Sequence, residues 1–200
     1  MSYIIVGLGN PGEEYRNTRH NTGRIILETF RKQNNFSEWE TDKKLKALVS
    51  EGVVEKGKEM LVEPETFMNK SGESVKPLIT SAKKAEKLVV IHDDLDIPIG
   101  KFKVSFGKNS GGHRGVESII KAVKTKDFIR IRVGISPATP SGKIKKPSGE
   151  KDVEKHILGE FKKSEFESLK KVGKSVAEVL EILVKDGREL AMSASGRVQE

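Results

Sequence analysis

Residues 3–12 read Tyr3-Ile4-Ile5-Val6-Gly7-Leu8-Gly9-Asn10-Pro11-Gly12. A short apolar run that breaks into glycines is the pattern of a buried strand delivering a loop at its carboxyl end. Gly7, Gly9 and Gly12 satisfy G-x-G-x-x-G after a strand, which would suggest a dinucleotide site. Two features oppose that reading. Pro11 fixes the backbone and lacks an N–H, so Asn10-Pro11-Gly12 is a turn signal and not a helix start. The second strand ending in Asp or Glu, due about 20 residues later, is also missing, because Glu28 lies within a helical pattern. The run therefore predicts a strand and a polar loop, and no cofactor is expected.

Outward from this strand, the pattern alternates. Residues 18–33 predict a helix with Ile26, Leu27 and Phe30 on one face. Residues 46–54 and 60–62 predict a strand pair turning through Lys56, Gly57 and Lys58. A second helix is expected over 66–83, bent by Pro77 or ending near it. Residues 87–91 predict a strand, 92–96 an acidic loop, and 102–106 another strand. A glycine-rich loop to Gly115 then gives way to a helix over 116–123. Residues 128–135 predict a strand with Arg130 and Arg132 on one face. A basic Pro/Gly/Ser loop spans 136–151, helices follow at 152–158 and 163–185, and 193–200 reads as a frayed tail. Alternating strands and helices predict a single α/β domain over residues 1–192, with polar loops gathered at strand ends.

The chain has 200 residues and no cysteine, which excludes disulfides, thiolate zinc sites and a cysteine nucleophile. It has no signal-peptide pattern and no apolar run of membrane-spanning length, so a cytoplasmic protein without a membrane partner is expected. Net charge is +8 with a pI near 9.5. That balance fits either a solvated lysine-rich surface or a polyanionic partner such as nucleic acid.

Several segments, in order, decide between these. They are Ile5 to Gly12; Tyr15 with Thr18-Arg19-His20-Asn21; Pro64 with Thr66-Phe67-Met68-Asn69 and Ser71-Gly72; His92-Asp93-Asp94-Leu95-Asp96 with Pro98 and Gly100; Gly111-Gly112-His113 with Gly115; and Arg130, Arg132, Val133, Gly134 and Ile135. Together they resemble the bacterial peptidyl-tRNA hydrolase family. The resemblance implies one globular α/β domain with a mixed central sheet flanked by helices. It implies hydrolysis of the ester between an N-blocked peptide and the 3′ ribose of tRNA, recycling tRNA from stalled translation. The implied partner is the acceptor end and 3′ CCA of peptidyl-tRNA, and a monomer is expected.

The resemblance also implies roles. Hydrolysis by water needs a base, and histidine titrates near neutrality; His20 falls at the family's catalytic position. Asp93 would orient it. Asp93, Asp94 and Asp96 could instead suggest a hard metal site, but the family needs none, so no metal is expected. Asn10 and Asn69 would hold the substrate, since an uncharged amide both donates and accepts. Met68 and Tyr15 would line the pocket, and His113 would contact substrate from its glycine loop. Lys103, Arg130 and Arg132 would meet tRNA phosphates. The family usually has Asn after the loop histidine; here it is Arg114, donor-only and permanently charged. Arg114 either turns outward to clamp a phosphate or slows the enzyme. The alternative function is a non-catalytic RNA-binding protein on the same fold.

Overall fold

The computed structural model describes residues 2–55, 57–139 and 141–198. The opening strand is β1 (Ile4–Gly7). A single helical turn at Arg19–Asn21 leads into α1 (Thr22–Gln33). Strands β2 (Glu40–Asp42), β3 (Ala47–Val54) and β4 (Gly57–Pro64) follow, then two short helices, α2 (Gly72–Val75) and α3 (Ala82–Ala85). Next come β5 (Leu88–Pro98), β6 (Phe102–Phe106), α4 (Arg114–Val123) and β7 (Ile129–Ser136). The chain closes with α5 (Glu150–Ile157), α6 (Lys163–Asp186) and α7 (Arg188–Arg197).

The seven strands form one sheet in the order β2-β3-β4-β1-β5-β7-β6. β4, β1, β5 and β7 run parallel, while β2, β3 and β6 are antiparallel to their neighbours. The sheet is therefore mixed, as expected. Each of its faces is covered, which is why the parallel strands read as nearly continuous apolar runs. On one face, Ile5, Val89, Ile91 and Ile131 pack against Leu27 and Phe30 of α1 and Val176 and Leu180 of α6. On the other, Val6, Val62 and Val90 pack against Val116 and Ile119 of α4. Each of these fully buried side chains contributes roughly 1.5–3 kcal/mol.

Because β1, β4 and β5 are parallel, their carboxyl ends open on the same edge of the sheet. One close approach pulls a helix onto that edge. A Cβ at Gly23, in the first turn of α1, would stand 2.3 Å from the Ile91 carbonyl oxygen and 2.4 Å from the Leu8 nitrogen. Only glycine lets α1 start so near β1 and β5, and the turn just before it carries His20.

Three expectations need correction. The acidic segment 92–96 is not a loop: β5 runs through it, because His92, Asp93 and Asp94 pair with Arg132, Val133 and Gly134 of β7. The helix expected over 66–83 is broken into short pieces at Ser71-Gly72 and Pro77. Proline lacks the N–H that a longer helix would need there, and Gly72 sits where a Cβ would meet the Ser118 carbonyl of α4 at 2.3 Å. The tail expected to fray from residue 193 is helical to Arg197, with Ala194 buried. Lys56 of the expected turn, Pro140 of the basic loop and residues 199–200 of the tail lie outside the described residues. Among the described residues, no helix is long and apolar enough to cross a membrane.

Candidate active site

A cleft of about 630 Å³ opens at the carboxyl ends of β1, β4 and β5. It is the place where an α/β sheet of this kind gathers ligands. Asn10 reaches it from the loop after β1, Met68 and Asn69 from the turn after β4, and Asp93 from β5. His20 enters from the turn before α1, and His113 from the start of α4. Residues far apart in sequence thus meet because the parallel strands deliver them to one edge.

His20 and Asp93 are the centre of the cleft. The His20 Nδ1 is 3.0 Å from Asp93 Oδ1 and 3.1 Å from Oδ2. The residues are 6% and 4% exposed. Burial by itself would raise the Asp93 carboxyl. The facing rings of His20 and His113, and the hydrogen bonds from both, overcome that cost and hold it well below the usual carboxylate range. An ionised Asp93 can only accept, so His20 Nδ1 carries the proton of that bond. The Nε2 lone pair of His20 is then left for the cleft.

Asp93 accepts a second imidazole hydrogen bond, from His113 Nε2 at 3.0 Å to Oδ1. The His113 Nδ1 accepts from the backbone N–H groups of Gly115 and Val116, so its ring caps α4. Gly115 is required where it stands: a Cβ there would lie 2.4 Å from Met68 Sδ. His92 points to the other face of β5 and hydrogen-bonds the Asp93 carbonyl with Nδ1 at 2.7 Å. Its burial, with the Arg130 cation nearby, keeps it well below the usual histidine range and neutral. His20, Asp93 and His113 bring three ligand atoms within 4.8 Å of one another. His20 Nδ1 and His113 Nε2 each meet Asp93 at hydrogen-bond distance.

Asn10 is clasped from two sides. Its backbone N–H donates to Asn21 Oδ1 at 2.9 Å, and Asn21 Nδ2 donates to its carbonyl at 2.9 Å. Its side-chain Oδ1 accepts from the Met68 N–H at 2.8 Å. That bond fixes the amide orientation, leaving Nδ2 as a donor toward the cleft. Met68 is buried, whereas Asn69 is an exposed rim residue and Tyr15 is partly buried at the cleft wall.

Arg114 also lines the cleft. Its Nη2 donates to Glu150 Oε1 of α5 at 2.7 Å, and both side chains are largely exposed. A second pair, Lys146 with Asp96 at 2.6 Å, links the same loop region to the end of β5.

The three basic strand residues separate. Lys103 is exposed and pairs in register with Arg132, whose guanidinium meets Asp94 at 2.7 Å. Arg130 shares their face of the sheet, as period-two spacing requires, but is only 3% exposed. Burial and the neighbouring Arg132 push it down to about 10. Spacing fixed its face and not its depth, so the expected phosphate contact is revised to an interior cation.

Three parts of the site do not stand out in the sequence. Asn21 is there only one letter of a motif, yet its side chain shapes the Asn10 loop. Phe67, 58% exposed, lines the cleft from within Thr-Phe-Met-Asn. Val153, Ile157 and Leu158 give it an apolar wall; their helical spacing is visible, but nothing in the sequence locates that face.

The family model described as peptidyl-tRNA hydrolase matches residues 4–200 of the chain. The chain is 36% identical over 196 residues to the peptidyl-tRNA hydrolase of Syntrophotalea carbinolica, covering 95% of this chain and 94% of that one. It is 39% identical over 193 residues to that of Alkaliphilus oremlandii, covering 96% and 97%. In structure it resembles the crystallised peptidyl-tRNA hydrolase of Acinetobacter baumannii, with a TM-score of 0.85 and 30% identity over 96% of this chain and 93% of that one.

Proposed function

Because this chain belongs to the peptidyl-tRNA hydrolase family, we propose that its cleft holds the ester of a peptidyl-tRNA and that His20 is the base that activates water. The observation that carries this reading is the His20 Nδ1 within 3.0 Å of a buried, ionised Asp93.

In the proposed reaction, the Nε2 of His20 takes a proton from water as the oxygen attacks the ester carbonyl carbon. The imidazolium that forms is stabilised by Asp93 through the Nδ1–H bond, the role of a carboxylate in other catalytic histidine pairs. The tetrahedral intermediate collapses with cleavage of the bond to the ribose oxygen. His20 returns its proton to that oxygen. The products are a peptide carboxylate, after loss of its acid proton to solvent, and tRNA with a free ribose hydroxyl.

Asn10 Nδ2 is suited to donate to the carbonyl oxygen as negative charge develops there. Asn69 offers an uncharged amide to the adjacent peptide bond. A free α-ammonium would present only donors and a charge, leaving such groups unpaired, which favours N-blocked substrates. Lys103 and Arg132 are the proposed phosphate contacts for the acceptor end. Action as a monomer is part of the proposal, and a ribosomal substrate implies work in the cytoplasm.

The test is turnover of an N-blocked aminoacyl-tRNA by wild type and His20→Ala. Removing a general base costs roughly 10²–10⁴-fold. Wild-type turnover no greater than that of His20→Ala would overturn the reading and leave an RNA-binding protein.

A further inference from the structure

His113 departs from the ordinary behaviour of a histidine beside a reaction centre, because both of its ring nitrogens are committed. The Nδ1 receives two backbone N–H groups, from Gly115 at 3.1 Å and Val116 at 3.3 Å. These belong to the first turn of α4, whose N-terminal donors need a side-chain acceptor. Ser, Thr, Asp and Asn usually fill that position; here an imidazole nitrogen does. A nitrogen accepting N–H groups cannot itself be protonated. The single ring proton must therefore sit on Nε2, which is 3.0 Å from Asp93 Oδ1.

We infer that His113 is a positioning residue: the backbone of α4 locks it in the neutral Nε2–H tautomer, and that N–H fixes the Asp93 carboxylate against His20. The inference rests on His20 as base and Asp93 as its partner, and it extends that reading to a third group. It gives His113 a different duty from the substrate contact expected from sequence, since no ring nitrogen remains to hydrogen-bond substrate. Two consequences follow from the geometry. Asp93 Oδ1 receives an N–H from each of two rings, His20 and His113, whose centroids lie 4.9 Å apart. The carboxylate is thereby held from both sides and cannot rotate away when His20 gains its proton. The lock also prevents a second base. Protonating His113 at Nδ1 would set an N–H against two N–H groups, so the water's proton goes to His20.

The ring's titratable and charged neighbours are consistent with this arrangement. His20 faces it from the turn before α1, and Asp93 and His92 face it from β5. The adjacent Arg114 is drawn off to Glu150.

Two measurements test the inference. Long-range proton–nitrogen NMR of histidine-labelled wild-type protein reads each tautomer directly. In the neutral ring, His113 is expected to carry its proton on Nε2, with Nδ1 bare. A neutral ring protonated on Nδ1 overturns the lock. The second measurement is His113→Asn, whose side-chain oxygen can still cap α4 but which brings no imidazole N–H to Asp93. Turnover number is expected to fall by roughly ten- to a hundredfold, as for a small misplacement of a catalytic group, with KM unchanged within about twofold and melting temperature retained. A turnover number equal to wild type overturns the positioning role. Should His20→Ala instead retain full turnover, it is the base assignment that fails, while the tautomer is still read independently by NMR.

Discussion

The His20 ring and the Asp93 carboxylate, 73 positions apart in the chain, meet at 3.0 Å with both side chains almost withdrawn from water. Asp93→Asn keeps the shape of the carboxylate but removes its charge. A neutral amide can still accept from Nδ1–H, yet it cannot stabilise the imidazolium, and its own N–H groups can favour the wrong tautomer. The turnover number should drop roughly 10²–10⁴-fold, with a much smaller change in KM. Because Asp93 is held well below the usual carboxylate range, it stays ionised in mild acid. A drop in activity there is expected to report some other group. A variant with near-normal turnover would remove Asp93 from the mechanism.

Arg114 offers a test of what replacing the family's asparagine has done. Its ion pair with Glu150 is exposed on both sides, and pairs of this kind contribute about 0–1 kcal/mol. Arg114→Asn should therefore leave stability within about 1 kcal/mol of wild type in urea melts. Turnover is expected to be retained or modestly increased, since the guanidinium is engaged by Glu150. A fall in turnover of about a hundredfold would mean that Arg114 swings inward when substrate binds.

Lys103, Arg132 and Arg130 should separate by salt dependence. Removing one lysine or arginine that meets a phosphate reduces the slope of log affinity against log salt by about 1. Lys103→Ala and Arg132→Ala are expected to weaken tRNA binding and flatten that slope. Arg130→Ala should leave the slope unchanged and lower stability, because the buried side chain fills space under the sheet face. Equal flattening by all three variants would return Arg130 to the tRNA surface.

How far the sequence could be read depended on the kind of information each feature carried. The strand and glycine loop at residues 3–12, and the order of motifs after it, made the α/β fold and the His20–Asp93 pair legible. Composition misled at residues 92–96, where three aspartates suggested a turn. There, pairing with β7 and the Arg132 ion pair at Asp94 keep the segment extended, so tertiary context overrode local preference. Alternation put Arg130 and Arg132 on one face correctly but carried no measure of depth. The bond from His113 to Asp93 was invisible, because spacing along the chain does not say which ring nitrogen a helix terminus will occupy. The clasp of Asn21 on Asn10 was hidden for the same reason: it depends on the Gly23 contact that brings α1 against β1.

Glu63 on β4 provides the clearest dependence of stability on pH. It is 7% exposed, and Arg24 is 3.7 Å away. Burial pushes its carboxyl up to about 7; Arg24 opposes this, while Glu28 and Glu65 add to it. A carboxyl raised in the folded state holds its proton there after the unfolded chain has released it. Stability contributed by Glu63 is therefore complete below the unfolded value near 4.5, declines as pH rises, and levels off above about 7. A shift of this size corresponds to a penalty on the order of 3 kcal/mol above neutrality. Glu63→Gln keeps the shape without the charge. It should be more stable than wild type at about pH 8 by up to that amount, and the two should converge near pH 4.5. Urea melts across this range would measure the difference. A gap between the variants that does not change with pH would show that Glu63 is already charged and adequately paired by Arg24 throughout.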